Sequence, residues 1–269
     1  MQNVGLIGYG AIGRAIVSSW SRHLAGRFKL SAVLVRESQV EPTSRSLDGI
    51  ATVVGDLHSL LETRPAIIIE AAGHGAVSEC APDILARGKE LYILSVGALA
   101  DDALRAELKD LAFRCGGRLI IPTGALAGFD GLLSLKATGL TSVKYRCIKP
   151  VAAWRGTAAE ERWDLGAITS PQIVFSGTAR RAAEEYPRNA NLAAAVAFAG
   201  LGLDHTEVDL VADPFAAQIE ARIEARSETD QLDVALRGWG FSENPKSSQI
   251  TAMSAISALR KRTEPISFS

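Results

Sequence analysis

Gly8-Tyr9-Gly10-Ala11-Ile12-Gly13 has the spacing G-x-G-x-x-G. Glycine is common, so the run alone is weak. Here it directly follows a short apolar run, residues 3–7, and opens a segment with Ile12, Ala15, Ile16 and Trp20 at helical spacing. In such a strand–turn–helix unit Gly8 permits the tight turn, Gly10 admits a pyrophosphate close to the backbone, and Gly13 lets the helix pack on the strand. The helix N-terminus, at Ala11 and Ile12, turns unpaired N–H groups and the positive end of the helix dipole toward the phosphates. The chemistry this implies is dinucleotide binding. A second strand over residues 29–35 then brings Arg36 and Glu37 to the place, about 20 residues past the glycines, where the adenosine ribose is read. Arg36 suits a 2′-phosphate and Glu37 a 2′-hydroxyl. NAD and NADP both remain open, with Arg36 favouring NADP.

Two further loops carry small residues. Ala71-Ala72-Gly73-His74-Gly75 follows the β-branched run at 67–69, and Ser95-Val96-Gly97-Ala98-Leu99 follows the apolar run at 91–96. In an open parallel sheet ligands bind beyond the carboxyl ends of the strands. Gly73 leaves room there for a ribose and a nicotinamide, and His74 offers a hydrogen bond. Thr123-Gly124-Ala125 comes after the run at 118–122, again with two small residues. Asn189 and Asn191 stand before an alanine-rich segment, where a side-chain amide and a helix N-terminus together suit an amide or carboxylate. Asn189 reads mainly as a cap or turn residue.

These groups need a scaffold, and the pattern supplies one. Strand-like runs at 3–7, 29–35, 51–55, 65–70, 91–96 and 118–122 are separated by helices, the clearest at 75–87 and 101–115. Such alternation predicts βαβ units and an α/β fold, a doubly wound parallel sheet of the Rossmann type. Beyond residue 122 the strands at 142–149, 172–176, 206–212, 217–226 and 232–237 are broken by helices near 177–185 and 191–200. They predict a second α+β domain with a mainly antiparallel sheet. A last helix, 247–262, carries Ile250, Met253, Ile256 and Leu259 at helical spacing. The expected division is residues 1–122 as the dinucleotide-binding domain, 123–246 as the substrate and dimerisation domain, and 247–269 as a C-terminal helix packing back on the first. The composition agrees: 269 residues, 47% hydrophobic, 22% charged, 29 basic against 30 acidic side chains. Such a chain buries a core and is not disordered. Its net charge of −1 gives no general pull toward nucleic acid or an anionic membrane. The longest helix-like apolar stretch, 192–203, falls short of the roughly 20 residues a membrane helix needs. Cys80, Cys115 and Cys147 form no C-x-x-C pair and no disulfide framework, and they read as reduced core thiols of a cytoplasmic protein. No metal site is expected.

With these residues in view the chain resembles the L-aspartate dehydrogenase family. The matching pieces are Glu-Ala-Ala-Gly-His (70–74), Ser-Val-Gly-Ala-Leu-Ala-Asp (95–101), Pro-Thr-Gly-Ala-Leu-Ala-Gly-Phe-Asp (122–130), Lys-Pro-x-x-Ala-Trp-Arg-Gly-Thr (149–157), Tyr-Pro-Arg-Asn-Ala-Asn-Leu-Ala-Ala (186–194), Ala-Asp-Pro (212–214) and Glu-Asn-Pro-Lys-Ser-Ser (243–248). The resemblance implies a Rossmann domain plus an α+β domain in a homodimer. It also implies NAD- or NADP-dependent oxidation of aspartate at Cα, through iminosuccinate to oxaloacetate and ammonia, or the reverse. By motif matching, Ala125 and Asn191 correspond to cofactor-contacting positions of the family. One departure stands out. The family carries its catalytic histidine in a segment Asp-Pro-x-x-x-x-Asn-x-His-x-Ile; here Asp213, Pro214 and Ile223 align, but the asparagine position is Ile219 and the histidine position is Ala221. Residues 219 and 221 share one face of a strand, with Glu220 and Arg222 on the other. A methyl group moves no proton, so the family's acid–base group is unassigned. Lys149, at a strand end, suits a substrate carboxylate, with Lys136 as an alternative. His205, in a helix-to-strand turn, is a weaker candidate. A different amine or imine substrate, or a non-catalytic dinucleotide-binding protein, are the competing readings.

Overall fold

The computed structural model describes residues 1–187, 189–241 and 248–266. Its contacts divide the described residues into two units, Met1–Pro122 together with residues 251–266, and Thr123–Ile250.

In the first unit β1 (Gln2–Ile7), α1 (Ala11–His23), β2 (Phe28–Leu34), α2 (Glu37–Leu47), β3 (Thr52–Val54), α3 (Leu57–Glu62), β4 (Ile67–Glu70), α4 (His74–Ala86), β5 (Glu90–Ile93), α5 (Asp102–Cys115) and β6 (Arg118–Ile120) follow one another. The six strands form one sheet in the order β3-β2-β1-β4-β5-β6, and every pairing is parallel. Val4, Leu6, Ile67, Ile68, Ile69, Leu91 and Ile93 are buried, as strands covered on both faces require. The strand order reverses between β1 and β4, which sets a crevice at their carboxyl ends. The helical stripe of α1 is rotated from expectation: Gly13, Ile16, Val17 and Trp20 are buried, and Ile12 and Ala15 are half-buried. The run expected as a strand to residue 96 leaves the sheet at Ile93. Val96–Ala100 forms a 3₁₀ turn instead, because Ser95 turns its N–H and hydroxyl to the Glu70 carboxylate.

The second unit contains α6 (Phe129–Ala137), β7 (Leu140–Pro150), α7 (Ala158–Arg162), β8 (Gln172–Thr178), α8 (Ala179–Glu185), α9 (Asn191–Ala199), β9 (Glu207–Asp213), β10 (Ile219–Ser227) and β11 (Gln231–Gly238). The sheet order is β11-β10-β7-β9-β8. Only β7 and β9 run parallel; the other three pairings are antiparallel. Alternation gives the sheet two different faces. On one, Val143, Tyr145 and Cys147 of β7 and Ile219, Ala221, Ile223 and Ala225 of β10 are buried, and α6, α8 and α9 pack against the strands. The other carries Lys144, Arg146, Asp209, Glu220, Arg222, Glu224, Asp233 and Arg237. Asp209 is its buried centre, held at 2.8 Å by Lys144, 3.0 Å by Arg146 and 2.9 Å by Ser176. Burial pushes the Asp209 carboxyl up, but those hydrogen bonds outweigh it and hold it below the usual range.

The last helix, α10 (Ile250–Lys261), buries Ala252, Ala255, Ile256 and Leu259. Just beyond it Arg262 pairs with Glu90, and Thr263 accepts from Arg27 at 3.2 Å, so residues 262–263 are held to the rest of the first unit. Residues 242–247, and with them the 246/247 boundary, lie outside the described residues. Cys80 and Cys147 are buried, and burial pushes the Cys80 thiol up to about 11. Cys115 departs from the expectation of three core thiols: it ends α5 on the solvent side and is exposed. Among the described residues no helix is long and apolar enough to cross a membrane.

Candidate active site

The glycine run makes the turn between β1 and α1. Gly8 has φ +96°, and a Cβ on it would lie 2.8 Å from the Cα of Ala72, so no other residue fits. Gly13 has its α-carbon against the Gly8 carbonyl, which closes the helix onto the turn. Gly10 is different. A Cβ there would meet nothing within 4 Å, so the backbone before α1 faces open space. Gly10 is the N-cap residue and no side chain caps the helix. The N–H groups of Ala11, Ile12 and Gly13 are therefore the donors a pyrophosphate needs, on a cradle a side chain would fill. The residues fit a dinucleotide. Arg36 and Glu37 follow β2, both exposed, with Arg36 at the N-cap of α2 and the Glu37 carboxylate lying where a Cβ of Gly55 would be.

The loops beyond β4 and β5 are built around one side chain. Glu70, 1% exposed, accepts at Oε1 from the N–H groups of Ala72 and Gly73, both at 2.7 Å, and from the Ser95 hydroxyl at 2.8 Å. Its Oε2 accepts from the Ser95 N–H at 3.1 Å. Gly73, at φ +142°, is the N-cap of α4, and His74 is that helix's first residue.

The second unit assembles another group on the buried face of its sheet. Ala221 is 1% exposed and pairs across the strands with Cys147 on β7 and Leu236 on β11. Lys149 lies two residues along β7 from Cys147 and shares its face. Diagonal neighbours of this kind stand about 7–8 Å apart. Lys149 is 4% exposed; its ammonium donates to Asn189 Oδ1 at 2.8 Å and lies 5.7 Å from the centre of the Trp154 ring. Because an ammonium only donates, Asn189 must turn its oxygen to Lys149 and its nitrogen away. That nitrogen is buried and finds no acceptor among the described residues. Asn189 also lines a cavity of about 430 Å³ with Gly156, Thr157, Glu160 and Tyr186. Tyr145 lies on the same strand face. Burial, reinforced by the neighbouring Cys147, pushes its phenol well above the usual range. Asn191 is the first residue of α9, and the loop before α6 meets that helix: a Cβ on Gly124 would lie 2.8 Å from Leu192 Cδ2. Ala125, next to it, is buried.

Comparison with known proteins adds the family. A model of the aspartate dehydrogenase C-terminal region matches residues 130–262, and one of the homoserine dehydrogenase NAD-binding domain matches residues 8–122. The L-aspartate dehydrogenase of Cupriavidus necator is 36% identical over 267 residues, 99% of this chain and 100% of that protein. The chain belongs to the L-aspartate dehydrogenase family. The family's protein from Acinetobacter baylyi is likewise 36% identical over 266 residues, covering 99% of each chain. Among solved structures, aspartate dehydrogenase from Thermotoga maritima matches all of both chains with a TM-score of 0.78 at 24% identity. A hyperthermophilic archaeal homoserine dehydrogenase in complex with NADPH matches 97% of each with a TM-score of 0.60 at 14% identity. This member of the family thus carries a Rossmann domain for NAD or NADP and is an oxidoreductase of the amino-donor class.

Within this family member the candidate residues fall into separate places. Gly8, Gly10, Ala11, Ile12 and Gly13 form the cradle, with Gly73 and His74 on the adjoining loop of the same unit. Ala125, Asn191 and Lys149 belong to the second unit, with Ala221 on the same strand face as Lys149. His205 stands apart, exposed in the turn between α9 and β9. Lys136 is exposed and donates to the Phe198 carbonyl at 3.4 Å, at the C-terminal end of α9. Asn189, expected as a cap or turn residue, lies in the turn before α9 and is the partner of Lys149, while Ala190 occupies the cap position. The sequence held no signal for this pairing, since 40 residues separate the two. Glu70 was likewise visible only as a strand end. The Glu-Asn-Pro-Lys-Ser-Ser block lies outside the described residues up to Ser248.

Proposed function

We propose that this chain is an NAD(P)-dependent dehydrogenase acting at a carbon that bears nitrogen, with L-aspartate as its default substrate. The reaction would be oxidation of aspartate at Cα to iminosuccinate, which water converts to oxaloacetate and ammonia, or the reverse. The observation that carries the reading is the cradle at Gly8, Gly10 and Gly13, opened at the carboxyl end of β1 where the sheet reverses. A bound nicotinamide supplies the hydride transfer. The chain's own part is to hold the pyrophosphate on the N–H groups of Ala11, Ile12 and Gly13, with Gly73 and His74 on the adjoining loop of the same unit; Ala125 and Asn191 are cofactor positions by the family resemblance. Arg36, exposed beyond β2, favours NADP alongside NAD. Lys149 is the candidate partner of a substrate carboxylate.

Ala221 supplies no acid–base group. General acid–base help is typically worth 10²–10⁴ in rate, so aspartate oxidation is expected to be slow. In the reductive direction water or a substrate ammonium would supply the single proton needed. The apolar wall of Ile219, Ala221 and Leu236 favours a second reading, a larger or less polar amine or imine as substrate. The free thiols, two of them buried at Cys80 and Cys147, support a cytoplasmic setting, and the charged face of the second sheet supports a homodimer.

The test has two parts. NADH and NADPH are titrated by fluorescence, with micromolar binding expected. Turnover is then screened over amino acids, amines, and oxo acids with ammonia. Binding with turnover of aspartate or oxaloacetate supports the first reading, and turnover of another amine alone supports the second. Binding with no turnover on any substrate would leave a non-catalytic dinucleotide-binding protein.

A further inference from the structure

Glu70 is a buried carboxylate with an arrangement that strand packing does not call for. It is the last residue of β4, and four donors converge on it from two loops: the N–H groups of Ala72 and Gly73, and the N–H and hydroxyl of Ser95. Both loops leave the sheet at carboxyl ends of neighbouring parallel strands, β4 and β5. The first also touches the glycine turn, since Ala72 is the residue against which Gly8 has room for no side chain. One carboxylate therefore ties the loop beyond β4 to the loop beyond β5, and it ends β5 at Ile93. A group that only accepts suits four donors; an amide does not.

The placement divides the dinucleotide. The adenosine ribose is read at the end of β2, on one side of the switch between β1 and β4. The nicotinamide half then falls on the other side, over the loops that Glu70 holds. We propose that Glu70 is a positioning residue whose carboxylate fixes the loops beyond β4 and β5 in the shape that receives the nicotinamide half of the cofactor. The adenosine half is left to the glycine turn and the end of β2. This rests on the dinucleotide reading above and goes beyond it, because Glu70 touches the cofactor only through the backbone it orders.

The test compares two ligands on one protein. NADPH contains both halves, and ADP contains only the adenosine half with its phosphates. Their affinities are measured by calorimetry on the full chain and on Glu70→Gln. Glutamine must set an N–H against at least one of the four donors. The expected result is a loss of about tenfold or more in NADPH affinity, with ADP within about twofold of the wild type. A merely structural role would weaken both ligands equally, and that outcome, or no loss for NADPH, overturns the proposal. Ser95→Ala keeps the carboxylate and removes one donor, so it guards against a Glu70→Gln chain that does not fold. It should show the same selective pattern at about threefold; equal or absent losses there also overturn it. Wild-type chain that binds neither NADPH nor NADH removes the dinucleotide reading itself, an outcome separate from wild-type binding without the differential.

Discussion

Lys149 places an ammonium on a strand face that is otherwise apolar, between Cys147 and the turn that carries Asn189. Its hydrogen bond to Asn189 has a neutral acceptor, which stabilises a buried charge less than a carboxylate would. A substrate carboxylate brought to this side chain would add a charge-assisted hydrogen bond. Lys149→Met keeps the length and removes the charge. It is expected to raise the KM for the acidic substrate by about tenfold or more while the dissociation constant for NADPH stays within about twofold. Asn189→Ala, which leaves the ammonium in place, should raise KM less. Steady-state kinetics with a parallel cofactor titration checks this; an equal loss of cofactor affinity would make Lys149 a scaffold of the turn that carries Asn189. At this scale the sequence was only partly legible. The types and spacing of Gly8, Gly10 and Gly13 state their own purpose, because each glycine is needed for a different steric reason. The alternation along β10 correctly put Ala221 on the face opposite Glu220 and Arg222, and the structure makes that face the buried one. The partners of Lys149 and Glu70 were not legible, since they are fixed by which loops and strands become neighbours.

The elements that sequence pattern revealed are those whose apolar residues decide their structure. Continuous β-branched runs made β4 visible, and alternation made β7 and β10 visible. Helix α2 shows the opposite case. Its sequence, with Ser, Thr and Val and with Pro42 inside it, is poor helix material. It is helical because the connection from β2 to β3 buries Thr43 and Leu47. The end of β5 was misjudged for a related reason: the apolar run continues to Val96, but Glu70 takes the Ser95 N–H out of the ladder. Helix α5 was legible at both ends, and its start permits a clean test. Asp101 Oδ1 accepts from the N–H groups of Ala103 and Leu104 at 2.9 and 3.1 Å. Asp101→Ala should cost about 1 kcal/mol of stability, and Asp101→Ser much less, because serine still accepts. Denaturant unfolding measures the loss, and faster hydrogen exchange at those two amides would locate it at the helix start. Unchanged exchange would show that the cap is not what holds the first turn.

For the whole molecule the charged face of the second sheet is the feature on which the homodimer proposal rests. Arg146 and Arg222 stand directly opposite one another on β7 and β10. The Nε atom of each is buried and has no acceptor among the described residues. Arg146 shares Asp209 with Lys144, and Arg222 lies within 3.7–3.8 Å of Glu220, Glu224 and Asp233. Positive and negative side chains are thus mixed over the face, with Arg237 on Glu220 at its edge. The homodimer proposal takes this mixture as self-complementary: a second copy related by a two-fold axis would set acidic groups against the arginines and its own arginines against the acids. Charge complementarity of this kind fixes register, and like charges placed opposite one another oppose assembly. The expected particle has twice the 28.5 kDa mass of the chain in light scattering after size exclusion. Arg222→Glu should shift it to the single-chain mass at micromolar concentration, because four carboxylates would then crowd around one row. Arg260→Glu, on α10 in the first unit, changes the net charge equally and should leave the dimer intact. A wild-type chain that runs at 28.5 kDa would refute self-association. A dimer that survives Arg222→Glu would show that it forms through another surface.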